Sequence, residues 1–190
     1  MKQSTYRVAV ISASVREGRK SHRVALYLQK ELQAREEVEV ELLDLAELNF
    51  PIFHERLKYQ KNPSDDAKAF AQAIANADGV IIVTPEYNSG YPAALKNAID
   101  LLVDEWYRKP VAIATVSGGS FAGMQVLVSL QFMLWKLKAW TVPAMFPVPQ
   151  VQESFNGAGV PTDEAATKKR ADKFFEELFY CMEATGKMKV

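Results

Sequence analysis

The chain has 190 residues, 48% hydrophobic and 24% charged, a length that supports one substantial core and makes a single domain over residues 1–190 the expectation. Its 23 basic side chains balance 23 acidic ones, so there is no global field to attract nucleic acid or an anionic membrane surface. No apolar run approaches the roughly 20 residues that cross a bilayer, and the first residues lead into an apolar strand without a leader pattern, so the cytoplasm is the expected location.

Residues 8–12 form the first predicted strand, an apolar run of the kind buried on both faces of a sheet. The loop behind it reads SASVREGRKSHRVA and offers hydroxyls at Ser12, Ser14 and Ser21. Between Arg16 and Arg23, the cations Arg16, Arg19, Lys20 and Arg23 face only Glu17, a balance suited to one small anion rather than a polymer. A phosphate monoester needs converging hydroxyls, amides and a guanidinium, and the start of the following helix adds unpaired N–H groups. Taken alone, the loop is equally compatible with a solvated turn in which Ser21 caps that helix. Val24, Ala25, Leu28 and Leu32 then recur at helical spacing.

The second predicted strand, 38–43, alternates apolar and acidic residues, as an edge strand with one face in water does. Residues 44–64 are long for a connection inside a compact domain, and Phe50, Pro51, Ile52 and Phe53 suit packing over an edge or against a second subunit. A helical stripe of Ala67, Phe70, Ala71 and Ile74 leads to the third strand, 79–84. Next comes TPEYNSGYPAALKNAID, in which Pro85 fixes the strand exit and Asn88, Ser89 and Gly90 tolerate a tight turn. Pro92 suits the start of a helix carrying Leu95, Ala98, Ile99 and Leu102. Exposed amides beside Tyr87 suit a flat heteroaromatic ligand, although composition alone slightly favours an ordinary turn.

A fourth strand, 111–117, runs into SGGSFAG, where Ser117, Gly118, Gly119 and Ser120 allow close backbone approach to a ligand. A helix over 123–137, a fifth strand over 139–142 and a last helix with Ala171, Phe174, Phe175 and Leu178 on one stripe complete the chain. Cys181 in that last helix is the sole cysteine and suits a buried free thiol; with only two histidines, far apart, no metal centre is expected. Alternating strands and helices define a three-layer α/β sandwich, and an edge second strand beside interior first, third and fourth strands gives the parallel order 2-1-3-4-5. The ligand crevice then lies beyond strands one and three, so the loops 12–21, 84–91 and 117–123 converge.

The series S-x-R, S-x-R-V-A, PEYN with LKNAID, and SGG resembles the NADPH-dependent FMN reductase family, which includes bacterial quinone, azo-dye and chromate reductases. The resemblance runs from about Val8 to beyond Gly123. It implies a flavodoxin-like fold and electron transfer from NADPH or NADH through FMN to quinones, azo compounds, free flavin or similar small acceptors. By the same likeness Ser14, Arg16, Ser21, His22 and Arg23 surround the FMN phosphate. Pro85, Glu86, Tyr87 and Asn88 line the ribityl chain and ring, and Ser117, Gly118 and Gly119 lie near the ring's polar edge. Glu86 and Tyr87 are the candidates for shaping the open ring face, with an intersubunit ion pair the alternative for Glu86. A homodimer or homotetramer is implied, to which Trp106, Phe121 and Trp135 contribute if they do not belong to the core. Ala13 stands where the family commonly has glycine, and His22 where asparagine is usual. The rival from another class is a flavodoxin-type electron carrier, but such carriers are strongly acidic with a threonine-rich phosphate loop, and this chain is neither.

Overall fold

The structure is a computed structural model that describes residues 5–48 and 50–188. Its strands are β1 (Tyr6–Ser12), β2 (Val38–Asp44), β3 (Gly79–Pro85), β4 (Pro110–Val116) and β5 (Trp140–Val148). The helices are α1 (Ser21–Gln33), α2 (Leu45–Leu48), α3 (Asp65–Asn76), α4 (Ala93–Asp100), α5 (Met124–Lys136), α6 (Val151–Ser154) and α7 (Glu164–Met188). Short 3-10 turns occupy Leu57–Tyr59 and Asp104–Trp106.

The strands pair in parallel in the order β2-β1-β3-β4-β5, with Val10 opposite both Leu42 and Ile81, and Ile82 opposite Ile113. This is the flavodoxin-like three-layer arrangement. On one sheet face α1 and α7 pack Val24, Leu28, Phe174, Phe175 and Leu178 against Val10, Val83 and Ala114. On the other, α3, α4 and α5 pack Phe70, Ile74, Leu95, Ile99 and Leu130 against Ile11, Ile82 and Ile113. A fully buried phenylalanine or leucine contributes about 1.5–3 kcal/mol, so the two apolar layers hold the sheet from both sides. The connection leaving β1 crosses to one face while that leaving β3 crosses to the other, and this divergence opens a crevice above their carboxyl ends.

Two expectations need correction, and one open alternative is decided. The fifth strand runs to Val148 rather than stopping at residue 142. Pro143 and Pro147 fit within it because β5 is an edge strand with a register shift opposite Val111–Ile113, where missing amide donors are tolerated. The α4 helix ends at Asp100, leaving Leu102 beyond it although still buried. Trp106 is a core residue: it is fully buried and its indole donates to the Ile99 carbonyl at 3.2 Å.

Phe121 and Trp135 instead lie outside, 85% and 67% exposed. In the long connection, Phe50 packs edge-on to Phe70 and Ile52 projects into solvent, while the Asn97 amide holds Pro51 and Phe53. Cys181 is half-buried, and burial pushes its thiol pKa up. No helix among the described residues is long and apolar enough to cross a membrane.

Candidate active site

A cavity of about 310 Å³ lies above the carboxyl ends of β1, β3 and β4. Its first wall is the β1–α1 loop. The chain turns at Gly18 (φ 67°) and brings Arg19 back over Ser14, whose carbonyl accepts from the guanidinium at 2.8 Å. Both terminal nitrogens of Arg19 also reach the carboxylate of Asp44, which is buried at the end of β2. Burial alone would raise the Asp44 pKa, but the Arg19 hydrogen bond and charge, together with the Ala46 amide, outweigh it and hold the carboxyl below its ordinary range. His22 stands behind the loop, with Nδ1 3.0 Å from the Ser12 hydroxyl and 3.4 Å from Asp44. Arg19 is thereby committed to shaping the loop, while Arg16 and Lys20 remain exposed cations.

The same loop delivers the start of α1 to the cavity. Lys20 precedes the helix without giving it a side-chain cap, and its first turn carries no acid, so the N-terminal amides keep their partial positive charge. Ser21 Oγ is buried there with no hydrogen-bond partner. A buried hydroxyl left unpaired costs about 1–3 kcal/mol, so an incoming acceptor oxygen gains what the protein forgoes. Ser14 contributes a second hydroxyl, already bonded to the Tyr87 phenol at 2.8 Å and receiving the Arg16 amide at 3.3 Å. An orphaned hydroxyl, an uncapped helix start and two exposed cations fit a phosphate.

The β3–α4 loop forms the second wall. Tyr87 and Gly90 exchange backbone hydrogen bonds of 2.9 and 3.0 Å around Asn88 (φ 51°) and Ser89 (φ 64°), a tight two-residue turn. Glu86 does not project freely over the cavity: its carboxylate accepts from the Gln125 and Val126 amides at 2.9 and 3.1 Å. It caps α5, a favourable place for a negative charge. Gly123 (φ 70°) immediately precedes that helix, and a Cβ there would lie 3.3 Å from the Val116 carbonyl and 3.4 Å from Glu86 Cβ.

Of the residues singled out from the sequence, Ser14, Arg16, Ser21, Pro85, Glu86, Tyr87, Ser117 and Gly118 line the cavity. His22, Arg23, Asn88 and Gly119 do not. Arg23 points elsewhere, its guanidinium donating to the Phe155 carbonyl at 2.7 Å. The cavity also takes in Gly18, Arg19, Lys20, Val116, Val151 and Gln152. The basic run over 16–23 marks Arg19 and Lys20, whereas nothing in the local pattern marks Val151 or Gln152. A cavity of similar size, about 320 Å³, lies beside Arg7, Glu39 and Glu41, where Arg7 already pairs with Glu39 at 3.2 Å.

A parallel sheet of this strand order with a cavity at its switch point defines a flavodoxin-like protein. Residues 6–153 match the model of the NADPH-dependent FMN reductase family. The NAD(P)H-dependent FMN reductase of Schizosaccharomyces pombe is 33% identical over 184 residues, covering 92% of this chain and 91% of its own. A quinone reductase of Escherichia coli is 35% identical over 136 residues, covering 70% and 71%. Among solved structures, the flavoenzyme NAD(P)H:(acceptor) oxidoreductase FerB of Paracoccus denitrificans superposes with a TM-score of 0.77 at 24% identity, covering 94% of this chain and 98% of its own. The chain belongs to the NADPH-dependent FMN reductase family and is an FMN-dependent NAD(P)H oxidoreductase.

Proposed function

We propose that this chain is a single-domain cytoplasmic reductase that delivers electrons from NAD(P)H to small quinone- or azo-type acceptors, with FMN seated in the cavity above β1, β3 and β4. The observation that carries the placement is the buried, unpartnered Ser21 hydroxyl at an uncapped helix start, opposite an aromatic-bearing loop. The chemistry that bound FMN supplies is hydride acceptance from a reduced nicotinamide and electron delivery to a second substrate. The protein's part is binding and orientation. Ser14, Ser21 and the α1 amides hold the phosphate, with Arg16 and Lys20 balancing its charge. Pro85, Tyr87 and the 117–118 backbone would hold the ring and leave one face open to a poorly discriminated acceptor.

A homodimer is part of the same proposal. Phe121, Val128, Phe132 and Trp135 lie 64–85% exposed, spaced three, four or seven residues apart along one side of α5 and its entrance. Apolar side chains in such a row mark a surface that a partner covers. The row begins beside the 117–119 loop, so a second copy there would also border the cavity. Steady NADPH or NADH oxidation by the purified chain with added FMN and a quinone tests the function. FMN binding without turnover would indicate an electron carrier, and sedimentation as a monomer would remove the dimer.

A further inference from the structure

Three successive carbonyls in the loop after β4 are held by one short segment after β5. The Ser117 carbonyl accepts from the Val151 amide at 3.1 Å, and the Gly119 carbonyl from the Gln150 amide at 3.0 Å. Between them, the Gly118 carbonyl accepts from the side-chain amide of Gln152, also at 3.0 Å. In a planar trans peptide the N–H of the next residue points opposite to the carbonyl. The N–H groups of Gly118, Gly119 and Ser120 are therefore turned away from this segment, and none of them donates to another group among the described residues. A Cβ at Gly118 would rest in ordinary contact with Gln152, 3.4 Å from its Oε1. Gln150 holds φ at 44°, a left-handed conformation that favours glycine, and its carbonyl accepts from the Glu153 and Ser154 amides. Strain of this kind persists only where the surroundings over-determine it.

We propose that Gln152 is a positioning residue of the flavin site: by holding the Gly118 carbonyl it fixes the turn whose Ser117–Gly118 part lines the cavity, so that the unpaired Gly118 amide meets a carbonyl oxygen of a bound flavin. This rests on the cavity reading above. Val151 and Gln150 act through the main chain and restrain the peptides on either side, whereas Gln152 acts through its side chain and can be replaced without touching the backbone.

The test compares Gln152→Met, which has similar length but no donor, with Gln152→Lys, which keeps one. FMN and riboflavin titrations and the visible spectrum of the bound flavin are read without turnover, and riboflavin keeps the lysine charge from acting on a phosphate. Gln152→Met is expected to weaken both flavins about five- to tenfold and shift the visible bands, with the apoprotein melting temperature unchanged. Gln152→Lys is expected to bind riboflavin within about twofold of the unaltered chain. Unaltered affinity and spectrum in the methionine variant would overturn the positioning role. A lysine variant as weak as the methionine one would overturn the donor role. Failure of the unaltered chain to take up FMN would instead remove the cavity reading, and this inference with it.

Discussion

The two ends of the cavity are built by different means. At the α1 end, charged side chains shape the loop: Asp44 grips Arg19, Arg19 grips the Ser14 carbonyl, and His22 bridges Ser12 and Asp44. At the β4 end the peptide groups themselves are held, by Gln150, Val151 and Gln152, and by the cap that Glu86 provides to α5. An anion seat needs charge and hydroxyls at a point, while a planar ring needs amides at fixed angles. With FMN placed as proposed, residue types would meet the first requirement and backbone conformation the second.

That contrast breaks most easily at Asp44. Asp44→Ala leaves Arg19 mostly buried without its partner and is expected to cost about 3 kcal/mol of stability in urea denaturation. A loss below about 1 kcal/mol, the usual worth of an exposed pair, would show that the pair does not lock the loop. Next in size is Arg16→Ala, expected to weaken FMN by about 2 kcal/mol while leaving riboflavin affinity unchanged. Equal losses for both flavins would move Arg16 away from the phosphate. At the backbone end, Gly123→Ala puts a Cβ into a left-handed position and is expected to cost about 1–2 kcal/mol, read from the thermal midpoint.

The smallest effect sharpens the comparison through pH. Burial is the largest influence on His22 and, with the nearby Arg19 charge, outweighs the attraction of Asp44, so its pKa falls below the ordinary 6.5. The folded chain then holds fewer protons at this ring than the unfolded chain does. Stability from this ring is full above pH 6.5 and declines as the pH drops through the lower folded value. His22→Asn is expected to flatten the decline, as urea midpoints measured between about pH 7 and 5 would reveal. An unchanged slope would place the acid sensitivity at another group.

The same division governs what could be read from the sequence. The strand order was legible because burial writes itself into side chains: Val80, Ile81, Ile82 and Val83 are apolar without a break, while Glu39 and Glu41 mark the edge. The β1–α1 loop was recognisable by its hydroxyls and cations, yet the division of labour inside it was not. Arg19 and Arg23 are chemically alike, and only the fold sends one to Asp44 and the other to the Phe155 carbonyl. Glu86 likewise could not be placed from its neighbours, because the amides it accepts from lie 39 and 40 positions away. The segment around Gln152 was silent for a deeper reason. Its contribution is the direction of peptide planes in another loop, and a glutamine between two prolines and a glutamate carries no mark of that.

The outward-parting connections of β1 and β3 leave a hollow that nobody had to carve from the interior. Val116 and Val151 apart, the residues bordering it are loop, strand-tip or helix-end positions outside the two packed layers that hold the molecule together. Exchanges at Tyr87, Lys20 or Gln152 can therefore alter which molecules are received there with little risk to folding. A lineage can sample new electron acceptors while its architecture stands still.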